Sequence, residues 1–171
     1  GMVNDHTVDV ALVSVSGANG MTVDTATGDD NLAVDFSWGN PLPAQGLSFE
    51  AGFGGWDTLT VRGGAHASAI YTFADAAGGS LALDGSEIRY SQVEAIVHQA
   101  TATQLVFVLP AGDDKAELGD VDGGMTRRRS LNGSFPTTDF ANPGPGGSIT
   151  VRSGAGDDSL LVASLAAAAA G

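Results

Sequence analysis

The sequence predicts an all-β fold, a parallel β-solenoid (right-handed β-helix) of about six coils. Three observations predict it. One turn pattern recurs along the chain, the acidic residues are nearly all aspartate, and helical periodicity is almost absent. The alternative reading of the same residues is an antiparallel β-sandwich built from hairpins.

The turn pattern comes first. Four segments share it: Met21 to Val34, Leu47 to Val61, Leu105 to Leu118 and Ile149 to Val162. Each reads as a short alternating strand, a glycine turn, an aspartate, then a second alternating strand. A shortened fifth copy runs from Leu81 to Tyr90, with Asp84-Gly85 as its turn. The turn aspartates stand at Asp30, Asp57, Asp84, Asp114 and Asp158. Their spacing is 27, 27, 30 and then 44 residues; such near-regular self-similarity is the mark of a stacked repeat, and units made of strands imply parallel pairing from coil to coil. In the mostly apolar run Leu105 to Leu109 the pattern suggests a strand buried on both faces.

Around this frame the chain reads as one domain, residues 1–171. Residues 1–20 are expected as an N-terminal cap, with Thr7 to Val15 as a terminal strand that closes the stack or continues it end to end. Residues 121–147 are expected as an irregular insertion, and 165–171 as an alanine-rich tail. Ser91 to Gln99 is the one plausible helical turn. Both ends suit a segment of a longer protein or a small intact protein with loose ends, and nothing in the sequence resembles a signal peptide or a membrane helix.

Composition narrows the function. The chain holds sixteen Asp and four Glu against six Arg and one Lys, for a formal net charge of −13. Aspartate and glycine favour turns over helices. So acidic a surface repels phosphates, so no nucleic-acid partner is expected. With no cysteine, disulfides, thiol catalysis and thiolate metal sites are excluded. His6, His66 and His98 are too widely spaced for a metal-ligand motif, and no serine has a nucleophile-elbow context. No enzymatic activity is expected. The enzymatic alternative is a polysaccharide-degrading β-helix using Arg62, Arg89 or Arg152 beside Asp57, Asp84 or Asp158.

Three groups remain as candidate ligand sites. If the turn aspartates stack about 5 Å apart, neighbouring carboxylates repel by about 0.8 kcal/mol in water and about 3 kcal/mol at an effective dielectric near 20. Calcium would offset that, with Asp29, Asp113 and Asp157 of the Asp-Asp doublets as further ligands. Otherwise each carboxylate caps backbone N–H groups with no metal. Arg127, Arg128 and Arg129 form the one basic cluster, suited to an anionic glycan or a phosphate, or else a solvated loop. Trp38 and Trp56 flank glycine turns, where an aromatic ring stacks on a sugar or packs a coil corner.

The repeat carries two resemblances. Gly28-Asp-Asp-Asn-Leu, Gly55-Trp-Asp-Thr-Leu and Gly156-Asp-Asp-Ser-Leu are similar to the second half of the haemolysin-type (RTX) calcium-binding nonapeptide. That motif's leading glycine pair is absent or broken here. The segments Gly39 to Leu47, Phe53 to Leu59 and Ser80 to Ile88 resemble repeats of large planctomycete-type adhesin-like surface or secreted proteins. That resemblance implies an extracellular, non-enzymatic module that meets a glycan or cell-surface ligand, with no catalytic residue.

Overall fold

A computed structural model describes residues 20–121 and 124–166. The expected cap strand Thr7 to Val15 and most of the alanine-rich tail lie outside the described residues. The domain is all β, two seven-stranded sheets packed face to face. In chain order the strands are β1 (Met21–Asp24), β2 (Asn31–Asp35), β3 (Leu47–Glu50), β4 (Thr58–Arg62), β5 (Ala65–Phe73), β6 (Gly79–Leu83) and β7 (Ser86–Ser91). They continue as β8 (Ala95–His98), β9 (Thr101–Val108), β10 (Lys115–Val121), β11 (Met125–Ser130), β12 (Thr137–Ala141), β13 (Ser148–Arg152) and β14 (Ser159–Val162). Sheet A has the order β1-β3-β7-β6-β5-β9-β13, and sheet B β14-β10-β11-β12-β8-β4-β2.

The chain passes repeatedly from one sheet to the other. Each pass lays a strand parallel to an earlier one, as in β1 on β3, β2 on β4 and β10 on β14. Two meanders interrupt this. In sheet A, β5 runs ahead, β6 returns antiparallel and β7 rejoins β3. In sheet B, β10, β11 and β12 do the same before β12 rejoins β8. The sheets are therefore mixed, not purely parallel, and the architecture fits a two-sheet sandwich as well as it fits a coil.

The meanders also correct two local expectations. The expected insertion at 121–147 contains two regular ladder strands, β11 and β12. Ser91 to Gln99 holds no helix, because Ala95–His98 pairs with both β4 and β12. Alternation explains both, since Ile96 and His98 point inward while Ala95 and Val97 are half-buried. The same alternation leaves Val106 and Val108 half-buried beside buried Leu105 and Phe107, so this strand is fully buried on one face only.

Inward-facing residues form rows across each sheet. In sheet B one row reads Leu32, Leu59, Ile96, Thr138, Arg128, Leu118, Val162. Arg128 thus stands in a row that is apolar except for Thr138 beside it, and it is fully buried. Its guanidinium lies 3.9 Å from the Phe73 ring centroid and 4.3 Å from that of Phe135. It donates to the Pro136 carbonyl and the Thr138 hydroxyl, both at 2.8 Å. Aromatic faces replace a counter-ion here, and burial pulls the guanidinium down to about 9. His98, also fully buried, hydrogen-bonds the Tyr71 hydroxyl through Nδ1.

Turn backbones nest closely where parallel strands stack. A Cβ on Gly55, where φ is +108°, would come within 2.1 Å of the Gly28 carbonyl oxygen. One on Gly156, at φ +130°, would come within 2.2 Å of the Gly112 oxygen. Gly28, at φ +127°, has open space instead. Gly55→Ala and Gly156→Ala are therefore expected to destabilise by about 2 kcal/mol or more, and Gly28→Ala by distinctly less, as read by chemical denaturation.

Burial, with a smaller push from His66, draws His98 down to about 4. Unfolded His98 takes up a proton below about 6.5, whereas the folded residue stays neutral to about 4. The unfolded state therefore binds more protons across that window, and stability falls with pH. Going from pH 7 to pH 5 is expected to cost about 2 kcal/mol through this residue. Denaturation of His98→Asn at the two pH values should show that part of the difference removed.

Candidate functional site

The turns from sheet A to sheet B gather along one edge. In register there lie Asp30 beside Asp57, Asp57 beside Glu94, and, beyond the β11–β12 loop, Asp114 beside Asp158. Their carboxylates accept hydrogen bonds from the backbone of the neighbouring turn. Asp57 Oδ1 accepts from the Asp30 N–H at 2.8 Å, and Asp29 Oδ1 accepts from the Trp56 N–H at 2.8 Å. The second pair repeats this reciprocal clasp: Asp158 Oδ1 accepts from Asp114 N–H at 2.9 Å, and Asp113 Oδ1 from Asp157 N–H at 2.8 Å. Glu94 extends the first series by accepting from the Asp57 N–H at 2.7 Å.

The β11–β12 loop separates the two series. Asn132 accepts from the Lys115 N–H and donates to the Asp113 carbonyl, and the Ser134 hydroxyl donates to Asp114. Asp84 stands apart from both. Its turn joins β6 to β7 at the opposite edge, with φ +49° at Asp84 and +92° at Gly85, a type I′ hairpin. There its carboxylate accepts from the N–H groups of Ser68 and Ala67 and meets His66 Nδ1. Burial works against the Asp84 carboxylate, but those partners outweigh it and hold it below the usual range.

Burial is also the largest influence on Asp57. It pushes the carboxyl above the usual range, with Glu94, Asp30 and Asp29 adding repulsion and the Asp30 N–H opposing them. The groups facing these carboxylates from neighbouring turns are backbone N–H donors, with the Ser134 hydroxyl on Asp114. Among the described residues, no group of three or more His, Asp or Glu side chains converges as metal ligands would.

The second candidate is the outer face of sheet B. Strand alternation on β11 turns Arg127 and Arg129 outward and Arg128 inward, so the basic triplet does not act as one surface cluster. Arg127 grips Asp139 through two bonds of 2.6 and 2.7 Å, and Arg129 donates to Glu117 at 2.9 Å. Beside these pairs runs a shallow groove of about 300 Å³, lined by Trp56, Ala95, Val97, Thr137, Arg127, Arg129 and Asp139. Trp56 is 60% exposed at its rim. Trp38 is 90% exposed, but it follows β2, whereas Trp56 precedes the parallel neighbour β4. The two indoles therefore sit at opposite ends of the strands.

Of the arginines considered for catalysis, two are paired away from the turns, and Arg152 has no carboxylate partner among the described residues. Arg62 pairs with Asp35 and Arg89 with Glu87, and neither meets the turn carboxylates. No local signal pairs Asp139 and Glu117 with Arg127 and Arg129, because the partners lie 12 residues apart on adjacent strands. No family model, curated protein or solved structure matches the chain.

The clasp makes a direct prediction for Asp57. Asp57→Asn keeps the Oδ1 acceptor and removes a charge that burial disfavours, so stability at pH 7 should hold or rise. Asp57→Ala strands the part-buried Asp30 N–H and should cost about 1–3 kcal/mol. Urea denaturation of both variants checks this. A carboxylate needed for a cation would instead make Asp57→Asn as damaging as Asp57→Ala.

Proposed function

We propose that this domain is a binding module for neutral polysaccharides, with the outer face of sheet B as its platform. One observation carries the reading: an exposed indole, Trp56, lines a groove together with Ala95, Ile96, Val97, Thr137 and the Arg127–Asp139 pair. An indole offers a flat apolar face and a polar N–H, the combination that a sugar ring's two faces require. The guanidinium and carboxylate beside it are planar and already oriented, so they offer fixed donors and acceptors to hydroxyl groups.

Charge supports a neutral ligand over an acidic one. Arg127 and Arg129 are each matched by a carboxylate, and the chain as a whole carries −13. An acidic glycan would meet a repulsive field with no free cationic pair in the groove. The reading agrees with the resemblance of the repeats to bacterial surface-protein segments, where such a module would hold a matrix or cell-wall glycan.

Affinity electrophoresis through gels containing neutral or acidic polysaccharides tests this. Retardation is expected in at least one neutral gel, lost by about tenfold in affinity in Trp56→Ala and unchanged in Trp38→Ala. Equal retention of wild type and Trp56→Ala, or retardation in acidic gels only, would overturn the reading. Release of reducing ends from a retarding polysaccharide would replace binding with hydrolysis.

A further inference from the structure

The two ends of the domain carry the same coil. Among the described residues, β1 and β2 are the outermost strands of the two sheets at one end, and β13 and β14 at the other. Each sheet reverses direction twice through its one antiparallel strand, so β13 runs parallel to β1 and β14 to β2. Met21-Thr-Val-Asp-Thr-Ala-Thr-Gly-Asp-Asp-Asn-Leu-Ala-Val34 aligns without a gap on Ile149-Thr-Val-Arg-Ser-Gly-Ala-Gly-Asp-Asp-Ser-Leu-Leu-Val162, with seven of fourteen residues identical. Both turns between the strands have six residues, and the equivalent glycines Gly28 and Gly156 adopt φ +127° and +130°.

We propose that copies of this chain stack head to tail, the β13–β14 end of one on the β1–β2 end of the next, continuing the internal pairing. The internal stack of the Gly112 turn on the Gly156 turn is the template. There each Asp-Asp doublet takes one N–H of its neighbour and gives one in return. At the two ends half of each clasp is vacant among the described residues. Asp158 N–H and the Asp157 carboxylate have no partner on the outer side, and the Asp30 carboxylate accepts no hydrogen bond among the described residues. Stacking aims Asp158 N–H at the Asp30 carboxylate and Asp29 N–H at the Asp157 carboxylate.

The apolar rows match as well. Leu160 and Val162 occupy inward positions beside buried Ala116 and Leu118, yet are 47% and 53% exposed. In the stacked register they meet Leu32 and Val34, while Ile149 and Val151 meet Met21 and Val23. The one charged position that differs between the end coils is complementary: Arg152 faces Asp24. Neither has an ion-pair partner among the described residues. Ala26 is the tight point, because at the equivalent internal position a Cβ on Gly154 would lie 3.0 Å from the Pro110 oxygen. A contact between two different ends leaves both outer ends open, so it builds a filament and not a closed dimer.

Sedimentation velocity on the whole chain at physiological salt, where repulsion beyond about 8 Å is screened, tests this across micromolar to near-millimolar loading. The wild type is expected to show mass increasing with concentration past the dimer. Arg152→Asp and Asp24→Arg should each weaken association by roughly fivefold, because each alone sets like charges face to face. An equimolar mixture of the two variants, and the doubly exchanged chain, should regain wild-type association. A sedimentation coefficient constant with concentration would overturn the proposal. So would an Asp24→Arg variant that associates like wild type, which marks a symmetric contact at the other end, or a mixture that fails to recover.

Discussion

Parallel stacking of one turn on the next is the constraint from which the rest of the structure follows. For β2 to lie on β4, or β10 on β14, the preceding turns must nest at backbone distance. That forces glycine into positive φ at Gly55 and Gly156, where a neighbouring carbonyl occupies the space of a side chain. Nesting also leaves N–H groups at the turn tips outside the ladder. Aspartate, short enough to reach the adjacent turn, accepts them. Four aspartates, Asp29, Asp57, Asp113 and Asp158, are placed by this arrangement.

The two meanders are where the stack departs from itself, and the departure generates the candidate binding face. Inserting β11 beside β12 breaks the turn series, and Asn132 and Ser134 fill the gap. The same insertion brings Arg127 and Arg129 to the outer surface beside Asp139 and Glu117, next to Trp56 of an earlier turn. It also places Arg128 in the core, held between Phe73 and Phe135. One three-residue run thus serves both the platform and the packing beneath it.

The repeated turns were legible in the sequence because glycine, aspartate and strand alternation are local signals. Asp30, Asp57, Asp114 and Asp158 fall where the repeat places them, along one edge. Asp84 does not, because an Asp-Gly pair suits a hairpin as well as a coil turn, and its 27-residue interval gives no sign of which sheet edge it occupies. Arg128 was hidden by its chemistry: three consecutive arginines suggest a solvated surface, and only the β11 alternation reveals that the middle one points inward. The groove brings together residues more than seventy positions apart in sequence, such as Trp56 and Arg129, and no local pattern encodes that juxtaposition.

The central claim is that neighbouring turns are joined directly, carboxylate to backbone amide. Amide hydrogen exchange at single-residue resolution tests it most directly. The account predicts slow exchange at the amides of Asp30, Trp56, Asp114 and Asp157, with protection unchanged when calcium is replaced by a chelator. Exchange at those four amides as fast as at exposed loop amides, or protection that appears only with calcium, would contradict it.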